Sequence, residues 1–186
     1  SGGGNAANSA ATFACLSRIL NTSQEIAVDL ISRVGDDMVG NQLLEELQRQ
    51  GVGTSCISCG SKGSTSHSAT VLVCSSDRTV ISSPGVSLSE PLQKEDITPV
   101  LRERLQGSGL LLIDGPHYHR EAALHLAKEA RRHQVPVLLE AEGDLDAQTL
   151  AILSEADYVI TSELFPQQLT GICDIHEALM EILLER

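Results

Sequence analysis

Five places along the 186 residues carry side chains with chemistry to offer. The first is the opening run SGGGNAANSA, in which Gly2, Gly3 and Gly4 precede Asn5 and Asn8 and lead into an apolar pattern of helical spacing. Glycine lets a ligand approach the backbone with no Cβ in the way, and N–H groups at a helix start can donate to hydroxyls or to developing negative charge. An asparagine amide both donates and accepts, which suits a polyol whose hydroxyls need both. The competing reading is that Asn5 and Asn8 only cap the helix. Second, Asp114 ends the run GLLLIDG, where its carboxylate could accept from substrate hydroxyls or cap the next helix. Third, Glu140 and Glu142 close VPVLLEAE. Fourth, Gly35-Asp36-Asp37 follows a strand-like stretch, and both aspartates fit a turn with a helix cap behind it. Fifth, Arg78 stands in the turn SSDR, a position that suits a solvated surface arginine.

Two further motifs lose to simpler readings. Cys56 and Cys59 form a C-x-x-C, but no second pair follows at zinc-site spacing, and the context is strand and turn rather than a helix start. His117 and His119 follow Gly-Pro at a helix start, where their rings diverge, and no carboxylate–histidine set supports a metal. The single histidines His67, His125, His133 and His176 receive no function. The five cysteines are odd in number and scattered, which points to reduced thiols in a reducing compartment. That is the cytoplasm, or an organelle stroma or matrix if a transit peptide has been lost.

The elements that must hold these residues alternate. Ala6–Leu20 reads as a helix and Glu25–Val34 as a strand. Met38–Gly51 reads as a helix with an apolar stripe (Met38, Leu43, Leu44, Leu47) ended by Gly51. Residues 55–85 then turn Ser/Thr/Gly-rich and β-like. Two or three antiparallel strands are expected there, with Ser75–Arg78 turning the chain between Ala69–Cys74 and Thr79–Ser82. Alternation returns from Asp96, a candidate cap for the helix DITPVLRERLQ. The run GLLLIDG is continuous enough for a strand buried on both faces. A helix (HREAALHLAKEARRHQ), the strand VPVLLEAE, a helix (DAQTLAILSEA), the strand DYVITS and a closing helix (DIHEALMEILLER) complete the chain. Strands separated by helices of this length imply a mainly parallel sheet with right-handed crossovers and helices on both faces, an α/β sandwich of three layers. Ligands of such sheets bind beyond the carboxyl ends of the strands, where the first four places fall.

Composition narrows the partners. The formal charge is −12, from 25 acidic and 13 basic residues. That argues against a nucleic-acid surface, where neutralising phosphates supplies most of the binding. Aromatics make up 2% and Trp is absent, so base-stacking platforms are not expected. Arg18, Asp29 and Arg33 interrupt the longest apolar runs, so no membrane span is expected. No G-x-G-x-x-G with an acidic residue some 20 positions on supports a dinucleotide fingerprint.

In order along the chain, GGGNAANSA, LISRVGDDMVGNQLLEELQRQGV, TSHSATVLVCSSDRTVISSPG, LLLIDG, VLLEAEG and ADYVITSE resemble the PfkB/ribokinase family of sugar and nucleoside kinases. The spelling GGNxxNS and the E-x-E at Glu140/Glu142 are most similar to its ketohexokinase-like or plant-type branch. The resemblance implies a ribokinase-like fold with a small β-rich lid, approximately residues 52–84. It also implies ATP and Mg2+ as cofactors, a small-molecule sugar as partner and a homodimer through the lid. It makes Gly3, Gly4, Asn5, Asn8 and Asp114 substrate-side residues, and Arg78 a phosphate-region residue. The serines and threonines of TSHSAT fit a lid strand over the sugar.

Two departures limit that implication. The family's N-x-x-E, which helps place magnesium and phosphate, falls on Ser162-Glu163-Leu164-Phe165, leaving Glu163 as the one metal candidate. The G-A-G-D loop, which carries the catalytic base, has no counterpart in the 186 residues, and neither has the first strand with its substrate-binding aspartate. The expectation is therefore a partial kinase domain that does not catalyse alone. The alternative is a catalytically dead kinase-like scaffold.

Overall fold

The computed structural model describes residues 4–20, 26–75, 77–115, 118–141 and 145–184. They fall into two compact units, Ser1–Leu92 and Gln93–Arg186.

In the first unit α1 (Asn5–Ile19) packs on α2 (Met38–Gln50), while β1 (Ser32–Val34) and β2 (Ile57–Cys59) pair in parallel. Ala14, Leu47 and Val52 form the buried core, and Ala7, Ala10, Ala11, Val28, Leu30 and Ile57 pack against it. The alanines of α1 recur at three- and four-residue spacing, so one narrow face of small side chains meets the core. The expected strand Glu25–Val34 is shorter than its apolar run. A single bridge joins Asp29 to Gly53, and regular pairing resumes only at Ser32 with Ile57. Residues 30 and 31 thus face residues 54–56, and the extra residue on one side interrupts the ladder as a bulge does. Of the stretch SCISC only Ile57–Cys59 lies on β2, whose parallel pairing continues as Gly60 N–H donates to Val34 O at 2.8 Å.

Asp37 caps α2, accepting from Gly40 N–H at 2.8 Å, and Gly51 ends it with φ 84°, the left-handed conformation glycine takes without a Cβ penalty. Met38 does not join the apolar stripe. It is the first residue of the helix and is 72% exposed. The antiparallel expectation holds for β3 (Ser68–Val73) and β4 (Arg78–Ser83), joined by a turn in which Cys74 N–H donates to Asp77 O at 2.9 Å. Every residue of both strands is exposed. A short helix, α3 (Val86–Ser89), follows with Val86 fully buried.

The second unit is a parallel sheet in the order β5 (Leu111–Asp114), β6 (Val137–Ala141), β7 (Tyr158–Thr161). Its helices are α4 (Pro99–Gln106), α5 (Arg120–Arg132), α6 (Ala147–Leu153), α7 (Leu164–Thr170) and α8 (Ile175–Leu184). α5 and α6 are the crossovers between the paired strands, as the alternation predicts. α5 buries Ala122, Ala123, Leu126, Ala127 and Ala130, one stripe of its surface. The run in β5 is not buried on both faces: Leu111 and Ile113 are buried, whereas Leu112 is exposed. Asp96 does not cap α4. It sits in a 3-10 turn, accepting from Gln93 N–H at 2.8 Å, and Thr98 is the cap, accepting from Leu101 N–H at 3.2 Å. Pro99 at the first helical position fixes the start at Thr98, because its φ suits that position and it needs no donor there. No described helix is long and apolar enough to cross a membrane. All five cysteines are free thiols.

Candidate functional site

Gly4 is the N-cap of α1, with φ 94° and ψ 136° and nothing within 4 Å of the position a Cβ would take. Torsion rather than crowding therefore calls for glycine. Asn5 is the first helical residue, and Asn8 N–H closes the first turn on Gly4 O at 3.1 Å. Neither asparagine occupies the cap position, both are exposed, and the first turn has no acidic side chain. The capping alternative for Asn5 and Asn8 falls away, and the helix start keeps its positive dipole end. Gly3 lies outside the described residues.

Asp114 ends β5, half-buried, and pairs in register with Glu140 of β6. Registered residues of parallel strands share one face, so two carboxylates stand side by side at the carboxyl edge of this sheet. The backbone fixes that edge, since Gly115 N–H donates to Glu140 O at 2.9 Å. Asp114 does not cap α5, whose N-cap is His119. Glu142 and His117 lie outside the described residues.

Arg78 opens β4 opposite Val73 and is exposed, its N–H donating to Asp77 Oδ1 at 2.7 Å. Glu163 stands exposed before α7 and makes no side-chain cap bond there. Phe165 is 2% exposed, a core residue. Among the described residues no three His, Cys, Asp or Glu side chains come together as a metal would need. Gly4, Asn5, Asn8 and Arg78 belong to the first unit, and Asp114 and Glu163 to the second.

Two polar clusters escape a reading of the sequence. In one, Asp37 accepts from Ser66 N–H at 2.8 Å and from Ser66 Oγ at 2.7 Å, while Ser66 Oγ accepts from Gly35 N–H at 3.0 Å. The Ser66 backbone N–H, then that of Gly40, then the Ser66 hydroxyl hold the Asp37 carboxyl below the usual carboxylate range. In the other, Arg33 donates to Ser58 Oγ at 2.9 Å and to Glu90 O at 2.8 Å. The Glu90 carboxylate accepts from Ser61 Oγ at 2.5 Å and Ser61 N–H at 2.9 Å, and these bonds, the hydroxyl first, lower its pKa. Beyond Gly35-Asp36-Asp37 itself, the sequence sign of these clusters is the density of serine and glycine in SCGSKGSTS.

Residues 1–185 match the family model described as pfkB family carbohydrate kinase. The chain belongs to the pfkB family. Solved structures similar to it have the ribokinase-like fold of that family. Arabidopsis thaliana ribokinase complexed with ribose and ATP matches with a TM-score of 0.79 at 21% identity, over 96% of this chain and 56% of its own. Fructokinase from Xylella fastidiosa matches at 0.77 and 18%, over 97% of this chain and 57% of its own. Anopheles gambiae adenosine kinase, in complex with P1,P4-di(adenosine-5) tetraphosphate, matches at 0.77 and 19%, over 95% and 54%. This pfkB chain spans little more than half the length of each. The fold is thus ribokinase-like, and this chain spans part of it.

Proposed function

We propose that the protein containing this chain transfers the γ-phosphoryl group of ATP to a sugar hydroxyl, and that residues 1–186 carry part of the acceptor pocket. The family match over residues 1–185 carries the reading. Gly3, Gly4, Asn5, Asn8 and Asp114 bind and orient sugar hydroxyls, the asparagines as paired donors and acceptors and Asp114 as an acceptor. ATP, when bound, supplies the phosphoryl group, and Arg78 offers it a cation. Mg2+ belongs to the reading as a cofactor of the family, with Glu163 its candidate residue, but no step is assigned to it. The spelling GGNxxNS and the E-x-E favour a ketohexokinase-like or plant-type member.

The β3–β4 hairpin fits the cover over the sugar. Ser68, Thr70, Leu72, Thr79, Ile81 and Ser83 share one face, and Val71, Val73 and Val80 share the other with Ala69, Arg78 and Ser82. The hydroxyl-bearing face suits a sugar, and the valine face suits a second copy, which supports a homodimer through the lid.

No G-A-G-D loop occurs in the 186 residues, so the chain alone is expected to bind without turnover. An ATP-dependent phosphorylation assay over a sugar panel, on residues 1–186 and on the full-length protein side by side, tests both statements. Product from the full-length form alone is the expected result. Turnover by residues 1–186 refutes the inactivity, and none from either form favours a second reading. That reading, a catalytically dead kinase-like scaffold, draws on Phe165, buried where the family motif has glutamate.

A further inference from the structure

A helix cap needs one acceptor, and serine or asparagine would supply it. Asp37 does more. Its Oδ1 accepts from Gly40 N–H and from Ser66 Oγ, and its Oδ2 accepts from Ser66 N–H at 2.8 Å. The carboxylate therefore grips both the main chain and the side chain of one residue, fixing its position and its orientation together. Ser66 is 5% exposed and stands two residues before β3 begins. The other leg of the hairpin returns to the same spot. A Cβ on Gly85 would stand 2.3 Å from Thr65 O and 2.8 Å from Ser66 O, and Val86 N–H donates to Thr65 O at 2.9 Å. Asp36 holds the preceding loop, accepting from Gly63 N–H at 3.0 Å while its own N–H donates to Ser64 Oγ at 3.1 Å. Beyond this root no residue of β3 or β4 is buried. Packing along the strands therefore does not set the direction of the hairpin.

We infer that Asp37 is a positioning residue that pins the root of the β3–β4 hairpin to the β1–α2 turn. Only the kinetic consequence rests on the proposed kinase reading: a hairpin that covers the sugar takes part of its placement from this carboxylate.

Asp37→Ser separates the pin from the cap, because a serine caps α2 but is too short to reach Ser66. Asp37→Asn is the second variant. It keeps the size and the cap, and turns an NH2 donor toward the Ser66 N–H. Hydrogen–deuterium exchange on the full-length protein is expected to show amides of Ser66–His67 and of both hairpin strands exchanging about tenfold faster in either variant. Amides of α2 and of Gln93–Arg186 are expected to stay within about twofold. Unchanged hairpin exchange in both variants, or an increase no larger than that of α2, overturns the pin. In the sugar kinase assay Asp37→Ser is expected to raise the sugar KM about tenfold, with a smaller change in kcat. Faster hairpin exchange with an unchanged KM keeps the pin and sinks the covering role, so the two failures read differently.

Discussion

Asn5 and Asn8 show how one placement separates two roles. Because Gly4 holds the cap position, truncating either asparagine removes no capping bond. Asn5→Ala and Asn8→Ala in the full-length protein should leave the unfolding free energy within about 0.5 kcal/mol of the parent, as exposed helix positions do. Each should weaken sugar binding by about 1–2 kcal/mol, roughly five- to thirtyfold, the cost of a lost hydrogen bond to a buried polyol. Thermal melts with sugar titrations check both numbers. Unchanged affinity in both variants would remove the asparagines from the pocket. The glycine–asparagine spelling was readable from the residues alone, and so was Asp37 as a cap. The grip on Ser66 was not, since its partners lie 29 residues apart and local pattern does not report on contacts across that distance.

Helices and strands were legible wherever periodicity ran long. α5 with its alanine stripe and the strands β5 to β7 fall close to their expected places, because long periodic segments outvote their neighbours. α7 was hidden by Pro166 inside LFPQQLT, a residue usually read as a breaker, yet proline is tolerated within a first helical turn. β2 lies in the stretch expected to be β-like with antiparallel strands, but it pairs in parallel with β1, a long-range partner that local composition does not report. Close backbone contacts at the end of β1 set the next expectation. A Cβ on Gly35 would stand 2.3 Å from Ser66 N and 2.4 Å from Thr65 C, main-chain atoms that cannot swing aside. Gly35→Ala should therefore cost about 2–3 kcal/mol, as overpacking does. At Gly63, φ is 77° and nothing lies within 4 Å, so Gly63→Ala should cost only about 1 kcal/mol of backbone strain. Urea denaturation of the pair decides the point, and equal costs would mean that crowding at Gly35 is relieved by movement of the loop.

Among the described residues, four carboxylates share one electrostatic condition. Asp37, Glu90, Asp146 and Asp174 all have lowered pKa values: Ser66 N–H is the leading cause at Asp37, the Ser61 hydroxyl at Glu90, Thr149 N–H at Asp146 and Glu177 N–H at Asp174. A carboxyl with a folded pKa below its unfolded value stabilises fully above the unfolded value, about 4, and loses that contribution as pH falls through the folded one. Relief of the −12 self-repulsion acts the other way, but only down to the sequence pI of about 4.8. Thermal midpoints should thus change little between pH 7 and about 5 and drop steeply below about 4. A midpoint that rises between pH 5 and 3 would contradict this assignment.

The fully exposed hairpin has a consequence for how such a sequence can vary. Its two six-residue strands fill no core, so most substitutions along them leave no cavity and strand no buried polar group. Substitutions at its foot, in Asp37, Ser66 and Gly85, cost contacts that the ribbon itself does not make. On the proposed reading of the hairpin as the sugar's cover, substrate preference can change in β3 and β4 without renegotiating the fold that carries them.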